Sequence, residues 1–203
     1  MFAVHLKTKQ FLFCNLANKH FELKYKYKVQ NIPEKPKVCF VCSGNICRSP
    51  TAEVVFNAMS RNQNLALRSD SAGLESYHIG QDMDKRARKA LEKGGYSVGQ
   101  HSAKQIDSNI FINREIVIAL DRTHEKYLSK FIDQHSLDSH NSMFALPKVS
   151  LLMTYSQSFP NIDEVPDPYY GDSRDFQYAL SLIEDACNGL LQNLTTTFLK
   201  NIN

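Results

Sequence analysis

No run of apolar residues in these 203 approaches the length needed to cross a bilayer, so no transmembrane segment is expected. Surplus charge is scarce as well. The formal charge of +3 gives no compositional case for nucleic acid, and none is expected as a partner. The five cysteines are an odd number without regular spacing, which does not build the disulfide framework of a small secreted domain and suits a reducing, cytoplasmic setting. Cys39-x-x-Cys42 has no second pair to complete a zinc site. Its odd spacing along a strand sends the two side chains to opposite faces, so Cys39 is expected to be a buried apolar residue and no metal is expected.

What is present centres on Val38-Cys39-Phe40-Val41-Cys42-Ser43-Gly44-Asn45-Ile46-Cys47-Arg48-Ser49-Pro50-Thr51-Ala52-Glu53. A β-branched apolar run ends at a cysteine, a short polar loop follows, and Ser49-Pro50 suits the N-cap and first position of a helix. A loop on a helix N-terminus is an anion cradle, because free N–H groups and the positive end of the dipole face the ligand. No Gly-Lys-Ser/Thr follows Gly44, so this is not a nucleotide-binding Walker loop. Instead it pairs one thiol, Cys42, which the positive surroundings favour as thiolate, with one guanidinium, Arg48, whose planar fork can hold two phosphoryl oxygens. A nucleophile beneath a bound oxyanion describes attack on phosphorus. Such chemistry also needs a proton donor. Asp167 in Val165-Pro166-Asp167-Pro168-Tyr169-Tyr170-Gly171 is the candidate, although a Pro/Gly-rich segment of this kind equally fits an ordinary turn.

From Lys37 onward strand and helix patterns alternate: strands near 38–42, 65–71, 115–120 and 148–153, helices near 50–61, 84–93, 121–132 and 173–199, and a polar surface loop over 134–142. The terminal helix carries the apolar stripe Phe176, Leu180, Ile183, Cys187, Leu190, Leu191, Leu194 and Phe198. The fold expected is α/β: a four-stranded parallel sheet with helices on both faces, a flavodoxin-like, doubly wound, three-layer architecture. Ligands of such sheets bind beyond the carboxyl ends of the strands, where Cys42 lies.

Cys42-x5-Arg48-Ser49, spelled CSGNICRSPTAE after an apolar strand, resembles the low-molecular-weight protein tyrosine phosphatase family, and the resemblance spans about Lys37 to Leu194. It implies a metal-independent, cofactor-free hydrolase that acts on phosphotyrosine proteins and small aryl phosphates through a phosphocysteine, as a monomer or weak homo-oligomer. It further implies that Cys42 is the nucleophile, that Arg48 and the loop Ser43, Gly44, Asn45, Ile46, Cys47 and Ser49 bind phosphate, and that Asp167 is the general acid. Tyr169 and Tyr170 would line a cleft deep enough for phosphotyrosine. Ser71, His101 and Asp121 match supporting positions, with a helix cap the equal alternative for Asp121. Cys47 would form a reversible disulfide with Cys42.

Two relatives of this chemistry fit less well. An arsenate reductase would need a relay of two further mid-chain cysteines, and none lies between Arg48 and Cys187. A protein-arginine phosphatase resembles the pattern with threonine where Ile46 stands. A non-catalytic phosphotyrosine-binding module would not need Cys42, Arg48 and Asp167 together. Residues 1–36 fall outside the resemblance and form a basic extension, with seven lysines, two glutamates and no arginine. A flexible extension is the preferred expectation, against organelle targeting or surface binding through Lys24-Tyr25-Lys26-Tyr27-Lys28; residues 37–203 would be the phosphatase domain.

Overall fold

The computed structural model describes residues 38–65, 67–108, 114–138 and 146–200, with side chains except those of 135–138 and 198–200. The expectations for residues 1–36 and for Phe198 fall outside the described residues. Among these, β1 (Val38–Cys42), β2 (Ser69–Gly73), β3 (Ile116–Ala119) and β4 (Lys148–Leu151) form one parallel sheet in the order β2-β1-β3-β4. The helices are α1 (Arg48–Asn62), α2 (Lys85–Lys93), α3 (Arg122–Asp138) and α4 (Ser173–Lys200).

Alternation along β1 divides the interior in two. Val38, Phe40 and Cys42 join the core roofed by α1, α2 and α4, whereas Cys39 and Val41 join the one closed by Leu128 of α3. Helices therefore cover both faces, as expected, and Cys39 is a fully buried apolar residue turned away from Cys42. Phe40 meets Phe56 of α1 edge-on at 5.8 Å between centroids, and the α4 stripe from Phe176 to Leu194 is buried as its spacing implies.

Four boundaries differ from those read in the sequence. α1 begins at Arg48, with Cys47 at the cap position and no side-chain cap. Ser49 is drawn into the site instead, and Pro50 stands third in the helix, where its missing N–H still costs no hydrogen bond. β2 starts at Ser69, because Ser60 Oγ donates to the carbonyls of Leu65 and Leu67 and holds that stretch against α1. α3 runs on to Asp138 through part of the polar segment expected to be loop, because backbone hydrogen bonds carry a helix through polar residues as well as apolar ones. β4 ends at Leu151, opposite the last residue of β3, and the chain tightens into a 3-10 turn over Leu152–Tyr155.

The strand order reverses direction at β1, which has β2 on one side and β3 on the other. Chains leaving the carboxyl ends of β1 and β3 diverge to opposite faces, and the crevice between them holds the site.

Candidate active site

β1 delivers Cys42 to the crevice at 3% exposure, and the next residues wrap back toward α1. Most carbonyls of this loop point outward, to partners around it. Those of Cys42 and Ser43 accept from the N–H groups of Leu74 and Glu75, each at 2.9 Å; that of Ile46 accepts from Asp84 N at 2.9 Å, and that of Cys47 from Thr51 Oγ1 at 2.7 Å. No described peptide is cis, so each outward carbonyl turns the next N–H inward, and the loop becomes a ring of donors around the space above Cys42.

Asn45 is the pivot of this ring. Its φ of 56° lies in the left-handed region, a strain that its side chain offsets by satisfying three neighbours. Asn45 Nδ2 donates to Ser49 Oγ at 2.9 Å and to Ser71 Oγ at 2.8 Å, while Oδ1 accepts from Lys104 N at 3.0 Å. His101 Nε2 lies 2.7 Å from the Asn45 carbonyl. Ser71 Oγ in turn donates to Glu53 Oε2 at 2.6 Å, and burial raises the pKa of Glu53. Ser49 Oγ, having accepted from Asn45, has one proton and two acceptors within reach: Cys42 Sγ at 3.0 Å and the Ala72 carbonyl at 3.2 Å.

Arg48 opens α1 with a 5% exposed side chain that spans two carboxylates. Nη1 donates to Asp121 Oδ2 at 2.7 Å and to the Val165 carbonyl at 3.2 Å; Nη2 donates to Asp167 Oδ2 at 2.9 Å. The Asp167 segment is anchored at one end by Val165 N on the Leu120 carbonyl at 2.9 Å. At the other end Arg86 Nη1 donates to the Gly171 carbonyl at 3.1 Å, while its guanidinium lies over Tyr169 at 5.6 Å and over Phe176 at 4.6 Å. Asp121 also caps α3, since its Oδ1 accepts from His124 N at 2.8 Å while Oδ2 meets Arg48.

Cys42, Arg48 and Asp167 floor an open cleft of ≈ 520 Å³, with Tyr77, His78, Tyr169 and Tyr170 on its rim. Tyr169 and Tyr170 cross edge-on at 5.0 Å, and Tyr170 is 94% exposed. A flat aromatic ring fits between such walls with its substituent down on the cysteine. Cys47 is buried beside the cleft, and burial holds its thiol well above the ordinary range. Among the described residues no group of three or more His, Cys, Asp or Glu is placed to hold a metal, and no helix is long and apolar enough to cross a membrane.

All the residues singled out in the sequence converge here: the loop from Cys42 to Ser49, then Ser71, His101, Asp121, Asp167, Tyr169 and Tyr170. Others enter that the sequence reading did not mark. Glu53 stands one helical turn after Ser49, a spacing that would have put it on the same face. Gly73 is pressed against the loop: a Cβ there would lie 2.8 Å from the Ser43 carbonyl oxygen. Tyr77 and His78 supply half of the rim, signalled only by an aromatic pair in a turn. Arg86 and His124 carry no sequence signal beyond lying two and three residues past Asp84 and Asp121.

Residues 37–199 match the family described as low molecular weight phosphotyrosine protein phosphatase. A low molecular weight protein-tyrosine-phosphatase of Streptomyces coelicolor is 37% identical over 158 residues, covering 76% of this chain and 91% of its own. A protein tyrosine phosphatase of Entamoeba histolytica, solved with Hepes in its active site, superposes with a TM-score of 0.71 at 33% identity, over 80% of this chain and 99% of its own. A Drosophila arginine phosphatase superposes with a TM-score of 0.69 at 27% identity, over 78% and 97%.

Proposed function

This chain belongs to the low-molecular-weight phosphotyrosine protein phosphatase family and is a hydrolase, and from that premise we propose how its own residues divide the work. Arg48 and the inward N–H groups bind the phosphoryl group, and the Cys42 thiolate attacks phosphorus in line with the leaving oxygen. As the P–O bond breaks, Asp167 in its acid form gives its proton to the leaving phenolate. Water then attacks the phosphocysteine, Asp167 takes its proton, and the S–P bond breaks to release phosphate and regenerate the thiolate. The N–H ring and Arg48 supply the positive charge that this transfer needs, so a metal has no assigned part.

The observation that carries this proposal is the fork of Arg48 between Asp121 and Asp167, in the same cleft as Cys42. An arriving phosphoryl group takes Nη2 from Asp167 and leaves Nη1 on Asp121. The guanidinium stays oriented while the displaced carboxyl stands free beside the leaving oxygen. The aromatic rim favours phosphotyrosine over the shorter phosphoserine. Ile46, apolar on the cleft wall, argues against a phosphoarginine substrate. Arsenate reduction has no relay here, since Cys187 is fully buried in α4. Residues 37–203 act as the phosphatase domain with 1–36 an extension; the chain works as a monomer or weak homo-oligomer in the reducing cytoplasm, where its described cysteines stay free.

The test is hydrolysis of an aryl phosphate in EDTA under reducing conditions, comparing the unaltered protein with Asp167→Asn. The amide cannot donate a proton as an acid, and kcat is expected to fall by about 10²–10⁴ with an aryl ester of high leaving-group pKa. An unchanged kcat would remove Asp167 from its role.

Cys47 gives a second outcome. Oxidation of the Cys42 thiolate by peroxide yields a sulfenic acid, which the Cys47 thiol condenses to a disulfide with loss of water. Inactivation by peroxide is then expected to be reversed by dithiothreitol, with poorer recovery in Cys47→Ser. Equal recovery in both proteins would show that Cys47 gives no protection.

A further inference from the structure

His124 lies in the first turn of α3 at 2% exposure, yet its ring touches two separate parts of the site. Nε2 is 2.9 Å from Ser43 Oγ, on the residue next to Cys42. Nδ1 is 3.0 Å from Asp121 Oδ1, on the carboxylate whose other oxygen takes Arg48 Nη1. Burial lowers the imidazole to about pKa 4, with Arg48 pushing the same way and Asp121 opposing, so the ring is neutral with a single N–H.

The surroundings select which nitrogen carries it. A carboxylate oxygen offers only lone pairs, and a bare ring nitrogen facing it would be repelled, so the proton sits on Nδ1. Nδ1 makes no hydrogen bond of good geometry there, although the backbone N–H of His124 donates to the same Oδ1, so electrostatics makes the choice. Nε2 is then an acceptor, and the Ser43 hydroxyl spends its proton on it. Ser43 Oγ is left facing the cleft with lone pairs alone, so it adds no donor to the phosphate cradle. The pair contributes by holding position.

The position matters because of the topology. Ser43 follows β1, Asp121 follows β3, and the chain leaves these strands for opposite faces of the sheet. His124 bridges the divergence. We propose that His124 is a positioning residue for phosphoryl binding, a clasp that joins the nucleophile loop at Ser43 to the Asp121–Arg48 pair and fixes the ring of N–H donors relative to the guanidinium. The clasp rests on Cys42 and Arg48 forming the phosphoryl site.

The experiment is a double-mutant cycle of Ser43→Ala and His124→Ala, with His124→Gln as the conservative variant. It reads kcat and KM for p-nitrophenyl phosphate, the inhibition constant of inorganic phosphate, and the melting temperature. Each single change is expected to weaken phosphate inhibition roughly tenfold, the scale of one buried hydrogen bond, with KM rising in parallel. The double variant is expected to be no worse than the weaker single, and His124→Gln, whose amide reaches toward Ser43, to recover most of the affinity. Should His124→Ala not fold, His124→Asn, whose shorter amide does not reach Ser43, takes its place in the cycle. Additive losses overturn the clasp, as does a lower melting temperature with phosphate inhibition unchanged. An unaltered protein that phosphate does not inhibit would instead overturn the phosphoryl site itself.

Discussion

Cys42→Ser is expected to bind inorganic phosphate and fail to turn over aryl phosphate, with kcat reduced on the order of 10⁴-fold or more, equivalent to about 5 kcal/mol of barrier. The substitution exchanges one small atom for another at the end of β1. The donors that shape the loop do not depend on sulfur: Asn45 bonds Ser49, Ser71 and the Lys104 N–H, and His101 meets the Asn45 carbonyl. Arg48 keeps both carboxylates. Binding therefore survives. Chemistry does not, because a serine hydroxyl ionises far less readily than a thiol, and no base in this site is aimed at it. Calorimetric titration with phosphate, beside the rate of p-nitrophenol release, separates the two effects. Turnover retained by Cys42→Ser would move the nucleophile elsewhere; loss of phosphate binding together with turnover would mean that the sulfur holds the loop together.

The loop was legible because several local rules agree on it. An apolar strand, a helix start, one glycine and a Cys-x5-Arg spacing all place a thiol and a cation at one helix N-terminus, and the structure puts Cys42 and Arg48 there. Asp167 was legible from its prolines and from the resemblance of Asp-Pro-Tyr-Tyr-Gly, not from any period. Ser49 shows the limit of local reading. Its type fits an N-cap, but its hydroxyl is needed by Asn45 and Cys42, and tertiary demand wins over capping preference. His124 and Gly73 were hidden for another reason. Each acts through a neighbour brought close by sheet topology, His124 across the β1–β3 divergence and Gly73 from the adjoining strand, and neither contact has a fixed spacing in the sequence. The end of β4 was misplaced because it is decided by the length of β3, and the start of β2 because Ser60 of α1 holds the stretch before it, and no single segment encodes either.

Gly73→Ala is expected to lower the melting temperature, at a cost of about 1–3 kcal/mol, and to reduce kcat/KM by about 10²-fold. The added Cβ would lie 2.8 Å from the Ser43 carbonyl oxygen and 3.0 Å from both Asn45 N and Gly44 C. All three are backbone atoms of the phosphate loop, so no side chain can rotate out of the way. Gly73 cannot retreat either: it pairs with Cys42 in the sheet, its N–H donates to the Lys104 carbonyl and its own carbonyl accepts from Ile106 N, both at 2.8 Å. The loop must move, and the N–H ring moves with it. Gly44→Ala supplies the control. Its Cβ would meet His78 Cδ2 at 2.6 Å, but that ring stands on the cleft rim and its fixed partner is Gln81, so it can turn aside. The same methyl one strand away is therefore expected to cost less than about tenfold in kcat/KM. Melting curves and aryl phosphate kinetics on the two variants decide the matter. If Gly44→Ala proves the more damaging, the loop yields freely at Gly73, and its shape is set by the Asn45 hydrogen bonds rather than by the backbone contact beneath it.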